Sequence, residues 1–168
     1  MLKLHEANLL DATVIHGDGT TTSAKKGGDN IGFSGHKKVK GDKIVAFCDR
    51  NCNVIAPFVS APGNRNESPL LREALPLVSR LALAVSLDLQ GTIVSLDCVY
   101  DCRRNRKAIF NRGMVPNINA NPRGRALVQT FGINETNARD HCAAQAARTA
   151  FQTAGALLSL IRSVPSAN

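Results

Sequence analysis

The chain contains no tryptophan, one tyrosine and six phenylalanines among its 168 residues. So few rings argue against a protein that grips single-stranded nucleic acid by stacking bases on aromatic side chains. Long apolar runs are also missing. The most apolar stretch, 75–89, is interrupted by Pro76, Ser79, Arg80 and Asp88, and it falls short of the roughly 20 residues of a membrane-crossing helix. The first residues, MLKLHEANLL, include Glu6 and lack the apolar centre of a secretory signal. A cytoplasmic protein without membrane contact is therefore expected.

Cysteine is present but poorly arranged for metal or disulfide chemistry. Cys48 with Cys52, and Cys98 with Cys102, form two C-x3-C pairs, whereas structural zinc knuckles favour C-x2-C with glycines in the turn. Cys48 sits in a strand-like apolar run and Cys98 directly follows another. Burial as small apolar side chains is the better expectation. An odd total of five in a cytosolic chain also does not suit a disulfide framework.

What is present fits one domain with a real core: 43% apolar and 20% charged residues. The net charge of +8 points to a polyanionic partner. Its positives are clustered. Lys25, Lys26, Lys37, Lys38, Lys40 and Lys43 fall in one Gly-rich segment, and Arg103, Arg104, Arg106, Lys107, Arg112, Arg123 and Arg125 in another. No acid lies between Asp101 and Glu135. A basic loop can be plain solvated surface, but two such clusters near candidate catalytic acids favour contact with a phosphate backbone.

Hydrophobic patterning predicts strand, hairpin, helix, strand, helix, strand. Residues 12–17 form a short buried strand that Gly17, Gly19 and Thr20 to Thr22 should end. From 23 to 43 no periodicity appears, and five glycines predict a long loop. Residues 43–48 and 53–59 read as hairpin strands around a turn at 49–51. Ser68 as N-cap and Pro69 as first residue start a helix with Leu71, Leu75, Val78 and Leu81 on one face, which Pro76 should kink or split. A strand over 91–97 comes next, then a helix over 101–112 with Ile109 and Phe110 inward and Gly113 as its stop. Residues 114–119, "MVPNIN", read as a last short strand. From Thr130 the composition shifts to Ala, Thr and Ser, with helix expected over 138–161. The division is thus 1–129 as the folded core and 130–168 as an atypical tail.

Two of these strands end in an acid, Asp18 and Asp97. If the strands are neighbours, the carboxylates meet at one edge of a mixed α/β sheet, where such folds build their sites. Two carboxylates beside basic loops suit Mg²⁺, which completes its shell with water and phosphate oxygens. Taken singly, each acid has a plainer reading: Asp18 in "GDG" as a turn residue, Asp97 as a helix cap. Asp101 could be another cap or a partner for Arg104 or Arg106. The motif "GDGTTTSAKKGG" lacks the spacing of a nucleotide phosphate-binding loop. His16, inside a strand, reads as a packed core histidine, and His36 as a phosphate contact or a solvated loop residue.

From Asp11 to Arg125 the chain resembles the catalytic core of bacterial insertion-sequence transposases of the DDE type. The carriers are "IHGDGTTTSAKKGG", "GHKKVKGDKIVAFCDRNCNVIAPF", "PGNRNES" and "LDCVYDCRRNRKAIFNRGMVPNINANPRGR". The resemblance implies a ribonuclease-H-like mixed sheet with flanking helices, DNA as partner, and metal-dependent DNA strand cleavage and transfer. It assigns Asp18 and Asp97 as catalytic metal ligands for Mg²⁺ (or Mn²⁺), with a homodimer as the active form. Lys25, Lys26, Lys37, Lys38, Lys40, Arg103, Arg104, Arg106, Lys107 and Arg112 are the expected DNA contacts. The family commonly has His-Asp where this chain has Asn66 and Glu67. Its third acid, a Glu on a C-terminal helix with a basic and aromatic signature, has no counterpart here; Glu135 and Asp140 match no motif. The break near Thr130 reads as a frameshift or truncation, and the family's N-terminal DNA-recognition region is expected to be missing, because Met1 lies just upstream of the first strand. The expectation is a chain that does not transpose DNA alone. A non-catalytic nucleic-acid-binding remnant, or a ribonuclease-H-like nuclease of another lineage, are the other readings.

Overall fold

The computed structural model describes residues 2–24 and 31–121. The tail, Lys25, Lys26, Arg123, Arg125, Glu135 and Asp140 lie outside them. The elements in order are α1 (Leu2–Glu6), β1 (Val14–Ser23), β2 (Gly32–Ser34), β3 (Val39–Asp49), β4 (Val59–Pro62), α2 (Glu67–Ala84), β5 (Ile93–Leu96), a 3₁₀ turn (Cys98–Tyr100), α3 (Arg103–Phe110) and β6 (Val115–Ile118).

The six strands form one mixed sheet in the order β2-β3-β1-β5-β6, with β4 also on β3. β3 runs antiparallel to β1, β2 and β4, while β1, β5 and β6 run parallel. This is the mixed α/β sheet with flanking helices expected from the sequence. Parallel neighbours need a crossover, and α2 and α3 supply the two that link β4 to β5 and β5 to β6.

Side chains alternate between the two faces of a strand. Ile15, Val45, Phe47, Val94 and Leu96 turn to one face and pack with Leu70, Leu71, Leu75 and Val78 of α2 and Ile109 of α3. Ala46 and Cys48 turn to the other, against Phe58. Gly17 belongs to the helix side, where an added Cβ would come within 2.6 Å of Leu96 and 2.7 Å of Phe47. The missing side chain lets two large neighbours close over the strand.

Several local expectations are corrected. β1 does not stop at Gly17 but runs on to Ser23, because every residue from Ile15 to Ser23 is paired with β3. Threonines 20 to 22 are β-branched and sit well in such a ladder. The 23–43 segment is not all loop: β2 and β3 make a hairpin around Gly35–Lys38, with Lys38 at φ 51. The turn at Asp49 forms, yet only Val54 bridges back, to Cys48. The returning strand begins at Val59 rather than 53, since Pro57 offers no N–H to a ladder. In α2 the N-cap is Asn66, whose side chain accepts from the Ser68 N–H at 2.9 Å, so the helix starts earlier than expected. It continues through Pro76 as one element. In α3, Ile109 is buried but Phe110 is 71% exposed. Consecutive helical residues point about 100° apart, and the buried face of α3 runs through Asn105 and Ile109, four residues apart, which leaves Phe110 on the solvent side. Gly113, at φ 75, does end that region.

Candidate functional site

The parallel ladder between β1 and β5 closes with Gly17 opposite Leu96. Asp18 and Asp97 are the next residue on each strand, so their backbones lie side by side at one end of the sheet. They also share a face. Asp18 is directly opposite Ala46, hence on the Ala46 side. Asp97 comes after the inward Leu96 in extended conformation (φ −66, ψ 157), which carries the alternation one step further. Each carboxylate is oriented by the next peptide: Gly19 N–H donates to Asp18 Oδ1 at 2.8 Å, and Cys98 N–H donates to Asp97 Oδ1 at 2.5 Å. Asp18 is therefore a strand residue and not a turn former. Asp97 is both a strand-end acid and the cap of the 3₁₀ turn.

A third carboxylate stands near this end, and the sequence did not mark it as part of a site. Glu67, the first residue of α2, places Oε1 3.0 Å from Lys43 Nζ and Oε2 3.5 Å from the Tyr100 hydroxyl. Tyr100 is fully buried. Burial pushes its phenol well above the usual range, and the charges of Glu67, Asp18 and Asp97 push in the same direction. The hydroxyl thus stays protonated. Lys43, counted among the basic cluster in the sequence, is turned inward by its register opposite Thr21 and neutralises Glu67. The one hint of this in the sequence was that Glu67 stands where the resembled family carries Asp.

The two carboxylates fit a divalent cation in type and placement, since Mg²⁺ takes one or two protein carboxylates and leaves its other positions to water and phosphate. Among the described residues no group of three or more His, Cys, Asp or Glu side chains is arranged around a metal position.

The basic residues separate into two kinds. Lys37, Lys38 and Lys40 are exposed on the hairpin, and Lys37 Nζ donates to Thr20 Oγ1 at 3.4 Å. Thr20 is two residues beyond Asp18 and on the same face, so the hairpin brings positive charge towards the acid pair. Arg103, Arg104 and Lys107 are exposed on α3. Arg106 instead binds Asp101 Oδ1 through Nε at 3.0 Å and donates to the Ile118 carbonyl at 2.7 Å. Arg112 donates to the Ala108 carbonyl at 2.6 Å.

His16 is buried, as expected. Cys48 is also buried, and that burial, reinforced by Cys52 and Asp49, pushes its thiol up to about 12. Cys98, also expected to be buried, is only partly covered. His36 is exposed on the hairpin turn.

The structure is similar to transposase catalytic domains. A piggyBac transposase, solved as a synaptic complex with hairpin DNA, shares 14% identity with a TM-score of 0.49 over 79% of this chain. This chain spans 29% of that one. The Mos1 transposase catalytic domain, solved with raltegravir and Mn, shares 12% identity with a TM-score of 0.47, covering 90% of this chain and 82% of that domain. The Mos1 mariner catalytic domain solved in a crystal structure gives 11% identity and a TM-score of 0.44. No protein-family model and no curated protein matches the chain.

Proposed function

We propose that this chain is the DNA- and metal-binding core of a transposase of the bacterial insertion-sequence DDE type, with Asp18 and Asp97 as its metal-holding acids. The observation that supports the reading is the Gly17–Leu96 pairing on adjacent parallel strands, one residue before Asp18 and Asp97, which are far apart in sequence. A divalent-metal site there would supply Lewis-acid chemistry for phosphodiester cleavage and strand transfer. Asp18 and Asp97 would hold the metal, each oriented by the amide that follows it. Lys37, Lys38 and Lys40 offer their ammonium groups to the DNA backbone on the same side of the sheet and neutralise phosphate charge. Tyr100, protonated and buried, keeps its hydroxyl as a donor beneath the acids.

The test is duplex-DNA binding with and without Mg²⁺. Mg²⁺ should strengthen binding in the unmodified chain, and Asp18→Asn or Asp97→Asn should abolish that gain. Binding that weakens with salt but ignores both Mg²⁺ and the substitutions favours the second reading, a non-catalytic remnant. That reading draws on the absence of a three-ligand metal group among the described residues. For catalysis we expect no strand transfer from this chain alone. Mg²⁺-dependent plasmid nicking that disappears in both aspartate variants would show that two acids suffice.

A further inference from the structure

Glu67 lies on the helix side of β1, behind Asp18. Its carboxyl oxygens go to different partners, Lys43 and Tyr100, and both ion-pair side chains are largely covered, at 13% and 18% exposed. Its carboxyl carbon rests against strand β1 at a residue that has no side chain. A Cβ on Gly19 would lie 2.7 Å from Glu67 Cδ and 2.8 Å from the Tyr100 hydroxyl. The same Gly19 supplies the N–H that Asp18 Oδ1 accepts. On the ladder, Gly19 is opposite Val45 and Thr21 is opposite Lys43, so Lys43 reaches Glu67 from the neighbouring strand on that face. Lys43 cancels the charge of Glu67 at contact distance, which suits a mechanical role better than that of another metal ligand.

We infer that Glu67, clamped between Lys43 and Tyr100, is a positioning residue that sets the Asp18 carboxylate for metal through the Gly19 peptide. The inference rests on the metal-holding role proposed above for Asp18 and Asp97. Removing a neighbour that orients a metal-binding side chain typically costs about 10- to 100-fold in metal affinity.

Tyr100 makes a direct test available. It is the only tyrosine, and there is no tryptophan, so terbium luminescence excited through tyrosine reports on metal beside this residue alone. The full chain is titrated with Tb³⁺, and affinity is read from the midpoint, not from the intensity. Mg²⁺ should compete, and Asp18→Asn should remove the signal. Glu67→Gln and Lys43→Met should both weaken binding, by about tenfold, because either change releases the clamp. If charge alone mattered, Glu67→Gln would weaken binding and Lys43→Met would tighten it; opposite signs overturn the inference. Gly19→Ala, which alters no charge but displaces Glu67, should weaken Tb³⁺ binding as well. An unchanged midpoint in Gly19→Ala overturns the inference even if Lys43→Met does not fold. A wild-type chain without signal, or a signal indifferent to Asp18→Asn and Asp97→Asn, overturns the metal-holding reading and this inference with it.

Discussion

The lysines of the β2–β3 hairpin and the arginines of α3 present similar charge in the sequence, and the fold uses them differently. Lys37, Lys38 and Lys40 all remain at the surface of an edge hairpin. In the second cluster Arg106 is turned to Asp101, whose side chain is 1% exposed and whose Oδ2 also accepts the Asn121 N–H at 3.0 Å. That group ties the end of β6 to the start of α3. Arg112 closes the last turn of its own helix. A run of like charges therefore states how much positive charge a segment carries, and not how much of it a DNA backbone can reach. A buried acid claims its counterion first, because leaving a buried charge unpaired costs far more than leaving a surface one to water.

The sharpest way to break this contrast is Asp101→Ala. It leaves Arg106 without its partner and the Asn121 amide without its acceptor, and should destabilise the fold by about 3 kcal/mol, discounted from a fully buried pair because Arg106 is partly exposed. Urea unfolding should show a lower midpoint with an unchanged slope. A midpoint within error of wild type would return Arg106 to the pool of DNA contacts. Replacing Lys37, Lys38 and Lys40 together by alanine should do the opposite. Stability should stay within about 0.5 kcal/mol, while the salt dependence of DNA binding flattens by about 0.9 for each phosphate that is no longer neutralised. An unchanged salt slope would move the interface away from the hairpin. The smallest effect is expected from Arg112→Ala, about 1 kcal/mol of stability with DNA affinity unaltered. A fall in affinity without a fall in stability would show that Arg112 serves the partner and not the helix end.

Much of the fold was legible because it is written in local patterns. The helix over α2 is predicted by Leu71, Leu75, Val78 and Leu81 at helical spacing; the first three are buried and Leu81 is partly covered. The short strands expected over 91–97 and 114–119 both form, trimmed to Ile93–Leu96 and Val115–Ile118. The errors share one cause. Gly17, Gly19 and the threonines after them look like a strand end when read locally. In the folded chain β3 supplies a partner all the way to Ser23, and Phe47, Leu96, Glu67 and Tyr100 fill the space that the glycines leave. Phe110, expected inward beside Ile109, stays at the surface because the buried face of α3 runs through Asn105 and Ile109.

At the candidate site the division is similar. Asp18 and Asp97 could be picked out because each closes an apolar run next to basic segments. Glu67 could not, since an acid at a helix start is ordinarily explained by the helix dipole alone. Only its lean over Gly19, between Lys43 and Tyr100, distinguishes it.

By itself the sequence determined the alternation of strand and helix, the excess of positive charge, the sparse aromatics that leave Tyr100 as a single reporter, and two acids at the ends of apolar runs. All of these are properties of residues and their near neighbours. The tertiary structure decided which acids meet, which basic residues stay exposed and which glycine sits beneath a carboxylate. Those outcomes depend on the pairing of β1 with β5 and on the packing of α2 against the sheet, both joining residues distant in the chain. No local pattern encodes such a distance, because the free energy that selects it comes from burying whole faces against one another.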